Sequence, residues 1–204
     1  AKECGLDKRI KFVQADILSM ADWDEEFDII ECSGVLHHME DPFAGWQALN
    51  SKLKPGGYFK IGLYSRQARQ QIVEARDFIK EHNFPSTTEG IRACRKAVFD
   101  LPTTNPMRRY LLNSGDFYAT SLVRDLIFHV QEHQMTLPQI KEMMDKLGLV
   151  STKFSLSNPN SIALYDKMFP EDRKRGNIEN WAQIEDKNPL TFISMYQFWC
   201  QKQA

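Results

Sequence analysis

The sequence predicts an α/β fold built on a parallel sheet, with a helical insertion between the strands. Three observations carry that prediction. Phe27-Asp28-Ile29-Ile30-Glu31-Cys32 is a nearly continuous apolar run, the pattern of a strand buried on both faces of a parallel sheet. A capped amphipathic helix and a further apolar run, Tyr58 to Tyr64, follow it, which makes a strand–helix–strand crossover. Residues 65–135 then carry helical periodicity before strand signals return, far more chain than an ordinary connection uses.

Each element has its own local reason. Ala1 to Gly5 reads as the tail of a helix, so the chain reads as the back part of a longer protein. Ile10-Lys11-Phe12-Val13-Gln14 is a short predicted strand ending at Ala15-Asp16. Asp41-Pro42 supplies an N-cap and a first-turn proline, and Phe43, Trp46, Leu49 and Leu53 form one apolar stripe. Lys54-Pro55-Gly56-Gly57 stops that helix before the Tyr58–Tyr64 strand. The insertion predicts helices over Gln67–His82, from Ser86 or Thr87 to Leu101-Pro102, and over Asp116–Glu132. Thr136-Leu137-Pro138 opens another, closed by Gly148. Leu149–Leu156 and Thr191–Gln201 are the final predicted strands, an antiparallel pair with a long connection. The chain divides accordingly into a partial α/β core (1–64), a helical insertion or substrate cap (65–135), and the closing helix and strands of the core (136–204).

Composition narrows the function classes. The 204 residues are 42% hydrophobic and 26% charged, the proportions of an ordinary globular domain. Lys plus Arg total 26 against 27 Asp plus Glu, which argues against a nucleic-acid partner and against electrostatic docking on a membrane. No apolar run approaches the ~20 residues needed to span a bilayer. The four cysteines, Cys4, Cys32, Cys94 and Cys200, are scattered without a CxxC pair, so a reducing cytoplasm is the expected compartment.

Ligands of open parallel sheets bind beyond the carboxyl ends of the strands. Those positions are Ala15-Asp16-Ile17, Glu31 to His38, and Tyr64-Ser65-Arg66. Asp16 suits either a hydrogen bond from a ligand amine or a cap on the next turn, and its spacing leaves both open. His37 and His38 lack a further ligand at metal spacing, so no metal is expected; a general base and a backbone-bonded loop histidine are the two readings. His129 and His133 stand four residues apart, on one face of a predicted helix, but not in HExxH order. A polar helix face explains them without chemistry, and a contact with substrate is the alternative. Cys32 and Cys200 read as small core residues. GxSxG and Walker motifs are absent from the sequence, which disfavours nucleophilic and phosphoryl-transfer enzymes.

Taken together, Phe12-Val13-Gln14-Ala15-Asp16-Ile17-Leu18, the run Phe27 to Pro42 with its Gly34-Val35-Leu36-His37-His38-Met39-Glu40-Asp41-Pro42 end, and Leu53-Lys54-Pro55-Gly56-Gly57 resemble class I S-adenosylmethionine-dependent methyltransferases. The resemblance spans about residues 10 to 64, with weaker support at 137–156 and 191–201. The insertion and the Met195-Tyr196-Gln197-Phe198-Trp199-Cys200-Gln201-Lys202 ending look similar to a bacterial subgroup of these enzymes. It implies a Rossmann-like sheet, S-adenosyl-L-methionine as cofactor and methyl transfer as the activity. It implies that Asp16 accepts a hydrogen bond from the adenine amino group, with Ala15 and Ile17 flanking the ring. Glu31, Cys32, Ser33, Gly34 and Leu36 would line the methionine side and the transfer point. His37 would face the substrate as a candidate base, with His38, Tyr64, Arg66, His129 and His133 as further substrate-side candidates. The family's glycine-rich loop and the acidic residue ending its second strand have no counterpart in this chain, so amino-terminal strands are expected to be missing and the isolated chain inactive. Small-molecule, lipid-linked and protein acceptors are all compatible with the sequence, as is any oligomeric state. The alternative is a non-catalytic methyltransferase-like module that uses the insertion and the aromatic closing strand as a protein interface.

Overall fold

The structure, a computed structural model, describes residues 2–156, 158–193 and 195–203. Its first regular unit is β1 (Phe27–Ser33), α1 (Pro42–Ser51) and β2 (Leu53–Tyr64). The Asp41 carboxylate caps α1 by accepting from the Phe43 and Ala44 amides at 2.9 and 3.1 Å, and Pro42 occupies the first turn. The helix stops at Ser51, and the Lys54–Gly57 run opens β2 instead of preceding it. Register slips there, from Phe27 opposite Leu53 to Ile29 opposite Tyr58, with Gly56 at φ +75°.

Two further strands, β3 (Leu149–Phe154) and β4 (Met195–Lys202), complete a four-stranded sheet in the order β1-β2-β4-β3. β1 and β2 are parallel, whereas β4 runs antiparallel to both β2 and β3, so the expected closing antiparallel pair is present. Among the described residues helices cover one face of this sheet. Phe59, Ile61 and Leu63 of β2 and Tyr196, Phe198 and Cys200 of β4 are fully buried there. They pack with Trp46 of α1, Ile140 of α6 (Leu137–Lys146), Tyr165 of α7 (Pro159–Met168) and Trp181 of α8 (Ile178–Lys187). On the other face Ile29, Tyr58 and Val150 are 60, 42 and 46% exposed.

Between β2 and α6 lies a layer of α2 (Gln70–Glu81), α3 (Thr88–Asp100), α4 (Pro106–Asn113) and α5 (Thr120–Ile127). Ile72, Ile91, Cys94, Val98, Leu111 and Val123 form its own apolar cluster, separate from that of the sheet.

Several expectations are corrected. Ile10–Gln14 is not a strand: it pairs with nothing among the described residues, and Phe12 and Val13 are exposed. A short β segment without a ladder has no internal source of stability, whatever its residues prefer. The second predicted strand is not buried on both faces, because β1 is a sheet edge and only Cys32 in it is buried. The helix expected over Asp116–Glu132 is a 3-10 turn at Gly115–Tyr118 followed by α5, which ends at Ile127. His129 and His133 therefore do not share a helix face. Residues 191–193 lie outside β4, and Ala1 and Ser194, which fell in predicted elements, are outside the described residues.

One glycine in the helical layer is there for want of space. A Cβ on Gly90, in the first turn of α3, would sit 2.1 Å from the Pro85 carbonyl oxygen. Gly to Ala inside a helix ordinarily stabilises by about 1 kcal/mol. Here Gly90→Ala is expected to destabilise by about 1–3 kcal/mol as α3 is pushed off the Pro85 turn, read as a lowered midpoint in urea unfolding.

Candidate functional site

The parallel pair β1 and β2 ends side by side, and each strand hands its chain to a loop there. After β1 the backbone turns at Gly34 (φ +78°) into a 3-10 turn, Leu36–His38. That turn is sharp enough to bury Leu36 and His37 completely while leaving His38 exposed. After β2, Ser65 and Arg66 lead into α2.

Residues 129–135 do not continue α5 but run in extended form across these two loops. Ser65 and Met135 form a parallel bridge: the Met135 amide donates to Tyr64 O and the Arg66 amide to Met135 O, both at 2.9 Å. The His133 amide donates to His37 O at 2.8 Å, and His38 Nδ1 donates to Gln131 O at 2.9 Å. The segment is thus stitched to both strand ends.

Its anchor is Glu132, whose side chain is fully buried. Arg69 grips it with two parallel bonds, Nε to Oε1 at 2.9 Å and Nη2 to Oε2 at 2.7 Å. His129 Nε2 lies 2.8 Å from Oε2, and Gln134 Nε2 donates to Oε1 at 3.0 Å. Burial alone raises the carboxyl pKa, but the bonds from His129, Arg69 and Gln134 and the charge of Arg69 outweigh it and hold it down to about 2.

An aromatic stack grows from the same arginine. The Arg69 guanidinium carbon sits 3.6 Å from the Tyr64 ring centroid, and the His37 ring lies 3.8 Å from it, tilted by 33°. Two groups that near one centroid overlap unless they take opposite faces, so Tyr64 is held between a cation and an imidazole. Neither nitrogen of His37 has a hydrogen-bond partner among the described residues. Burial first, then the neighbouring His38, lowers its pKa to about 3, with Arg69 and His129 adding to the effect and Glu132 opposing it. His37 is a neutral ring through the physiological range.

A second buried acid supports β2 from behind. Glu185 of α8 accepts from Ser65 Oγ at 2.9 Å and from Tyr196 OH at 2.8 Å. Burial raises its pKa, with the Tyr196 and Ser65 bonds acting the other way.

On the other side of β1 is a cleft of about 420 Å³ walled by Ile17, Met20, Ile30, Cys32, Val35 and Leu49, with Glu31 and Ser33 at its mouth. Asp16 caps the neighbouring 3-10 turn through one oxygen, Oδ1, which accepts from the Leu18 amide at 2.8 Å. Its second oxygen has no partner among the described residues and is exposed. Glu31 pairs with Lys60 on β2 at 2.6 Å, and burial pushes the Cys32 thiol up to about 11. Leu36 lies in the sheet core and is not part of the cleft wall.

The structure therefore gathers the sequence-predicted residues into two groups: Ile17, Glu31, Cys32 and Ser33 around the cleft, with Ala15, Asp16 and Gly34 on the exposed turns near it, and His37, His38, Tyr64, Arg66, His129 and His133 around the extended segment. Sequence reasoning missed Arg69, Arg76, Glu132 and Gln134. Only Glu132 carried a signal, being the one acid between two histidines.

A β1-α1-β2 parallel unit closed by an antiparallel strand, with loops converging at the parallel strands' carboxyl ends, is the architecture of a class I methyltransferase fold. Residues 1–61 match the family described as a methyltransferase domain. An uncharacterized protein of Synechococcus sp. is 33% identical over 159 residues, covering 74% of this chain and 37% of that protein. The structure of PKMT2 from Rickettsia typhi superposes with TM-score 0.68 at 17% identity, over 99% of this chain and 41% of that one. The same Rickettsia protein in complex with AdoHcy gives TM-score 0.66 at 16% identity, over 93% and 38%. The chain spans roughly two fifths of the length of these proteins. No helix among the described residues is long and apolar enough to cross a membrane.

Two predictions follow from the buried groups. Glu132→Gln leaves the Arg69 charge facing a neutral amide, and is expected to lower stability by about 3–5 kcal/mol; an Arg69→Met/Glu132→Leu double variant should recover most of it in thermal melts. His37 has a folded pKa below its unfolded one, so its contribution is fully present above pH 6.5 and is lost as pH falls toward about 3. At pH 5 this amounts to about 1–2 kcal/mol. His37→Phe should therefore melt with a shallower pH dependence than the parent between pH 7 and 4.

Proposed function

We propose that this chain forms part of an S-adenosylmethionine-dependent methyltransferase, with the cofactor at the β1 cleft and the methyl acceptor on the His37–Tyr64 side. The observation that carries the reading is the match of residues 1–61 to the methyltransferase-domain family, on a sheet whose two parallel strands end at the two groups of residues. The cleft fits an adenine ring: its walls are apolar, and Asp16 keeps one unpartnered oxygen for an exocyclic amine while the other caps its own turn. Both readings of Asp16 are then compatible. The AdoHcy complex of the Rickettsia protein adds support at the level of fold.

When bound, the cofactor supplies an electrophilic methyl group on a sulfonium. The chain's own part is alignment, and a well-oriented pair of reactants can gain on the order of 7–11 kcal/mol from it. His37 is fully buried and backs Tyr64 as a neutral ring, so its part is to orient Tyr64 through that stack. The environment penalises its protonated form, which favours a role in hydrogen bonding and orientation over that of a proton store. His38, held by Gln131 O, is exposed beside Tyr64, and His133 is tied to His37 through its backbone. The Arg69–Glu132 pair acts through Tyr64 as positioning residues.

The test is calorimetric titration of S-adenosylhomocysteine. Binding is expected when this chain is joined to the upstream part that carries the family's glycine-rich loop, with Asp16→Ala weakening it about tenfold, the equivalent of one hydrogen bond to an ionised group. An unchanged affinity overturns the adenine assignment. No binding at all favours the non-catalytic reading.

A further inference from the structure

Behind the extended segment lies a second cleft, of about 390 Å³, between it and α2, lined by Arg66, Val73, Arg76, Lys80, His133 and Gln134. Its charges do not balance. Glu132, at its floor, is already taken by Arg69 and His129. His129 Nδ1 lies 2.8 Å from Asp125 O, and its Nε2 lies 2.8 Å from the Glu132 carboxylate. The Arg76 guanidinium lies 3.3 Å from that same ring nitrogen, with one long bond to His129 O at 3.3 Å. Arg66 reaches only the Gln134 carbonyl, at 3.4 Å. Neither Arg66 nor Arg76 has a carboxylate partner among the described residues. The one other acid lining the cleft, Asp77, sits 3.8 Å from Lys80.

Two arginines, Arg66 and Arg76, thus face the cleft without a carboxylate partner among the described residues, while the Glu132 carboxylate is occupied by Arg69. Like charges this close repel unless an anion joins them. The guanidinium fork suits an oxyanion with two oxygens in one plane. His133 connects this cleft to the histidine site, since its backbone amide is bonded to His37 O while the residue lines the cleft.

We propose that this cleft is a binding subsite for an oxyanion carried by the methyl acceptor, a carboxylate or a phosphate, held by Arg66 and Arg76 with Lys80 at the rim. The subsite would anchor the acceptor's charged end while its nucleophile lies on the side of exposed His38 and of Tyr64. Placing it on the acceptor rests on the methyltransferase reading; the anion site itself does not.

The experiment is a titration of the whole chain with inorganic phosphate at low ionic strength, followed by amide NMR shifts, with acetate as the second probe. Saturable shifts confined to α2 and residues 131–134 are expected. Arg66→Gln, whose exposed side chain makes only one long backbone bond, should keep the parent melting temperature and weaken phosphate binding about tenfold. Lys153→Gln, on β3 away from the cleft, should leave binding unchanged. A preference for phosphate over acetate points to a phosphorylated acceptor and a preference for acetate to a carboxylate; both support the subsite. Shifts scattered over the surface, or an Arg66→Gln chain that titrates like the parent, overturn it. No cofactor enters this titration, so its failure leaves the S-adenosylhomocysteine result standing, and the converse.

Discussion

The helical layer and the sheet meet around the Glu132 carboxylate. A charge out of water is costly, and it is tolerated here because Arg69 meets it with a two-pronged bond while His129 and Gln134 satisfy the remaining directions. Those partners come from the start of α2 and from both sides of Glu132 itself. The carboxylate therefore dictates that residues 129–135 leave the α5 helix and lie across the strand ends. Everything around the histidines follows from that path: the bridge at Ser65, the bond from His133 to His37, the seat of His38, and the cation beneath Tyr64.

How much of this the sequence discloses depends on how local the cause is. The caps at Asp41, Thr87 and Thr136 satisfy amides within three residues of themselves, and all three helix starts were legible. The strand at Phe27 and the antiparallel closing pair were legible from apolar runs. Ile10–Gln14 has the same local pattern but no ladder to join, and pattern alone cannot supply one. The over-long helix at Asp116–Glu132 failed for the opposite reason. Its periodicity is sound through Ile127, but a tertiary ion pair then overrides local preference and unwinds the rest.

The site divides in the same way. That ligands gather beyond the carboxyl ends of parallel strands is a rule of topology, so Asp16, Glu31 to His38 and Tyr64 to Arg66 could be picked from order along the chain. The network that holds them could not. Arg69 and Glu132 are 63 residues apart, and nothing near Arg69 distinguishes it from the other arginines of an amphipathic helix. The two histidines at 129 and 133 drew attention for their spacing on a helix that does not extend so far. Their actual roles come from backbone and carboxylate contacts specific to the extended segment.

The two apolar clusters have a further consequence. One fills the covered face of the sheet and the other lies wholly within α2 to α5, so the side chains that stabilise the layer are not those that stabilise the sheet. Elements built this way can open as separate cooperative units. The seam between them is the polar strip of Arg69, Glu132 and His129, which contributes direction more than adhesion. An excursion that parts this seam would release residues 129–135 from the strand ends while the sheet core stays intact. Entry to the histidine site would then be timed by the local stability of the layer, with no hinge elsewhere in the molecule required.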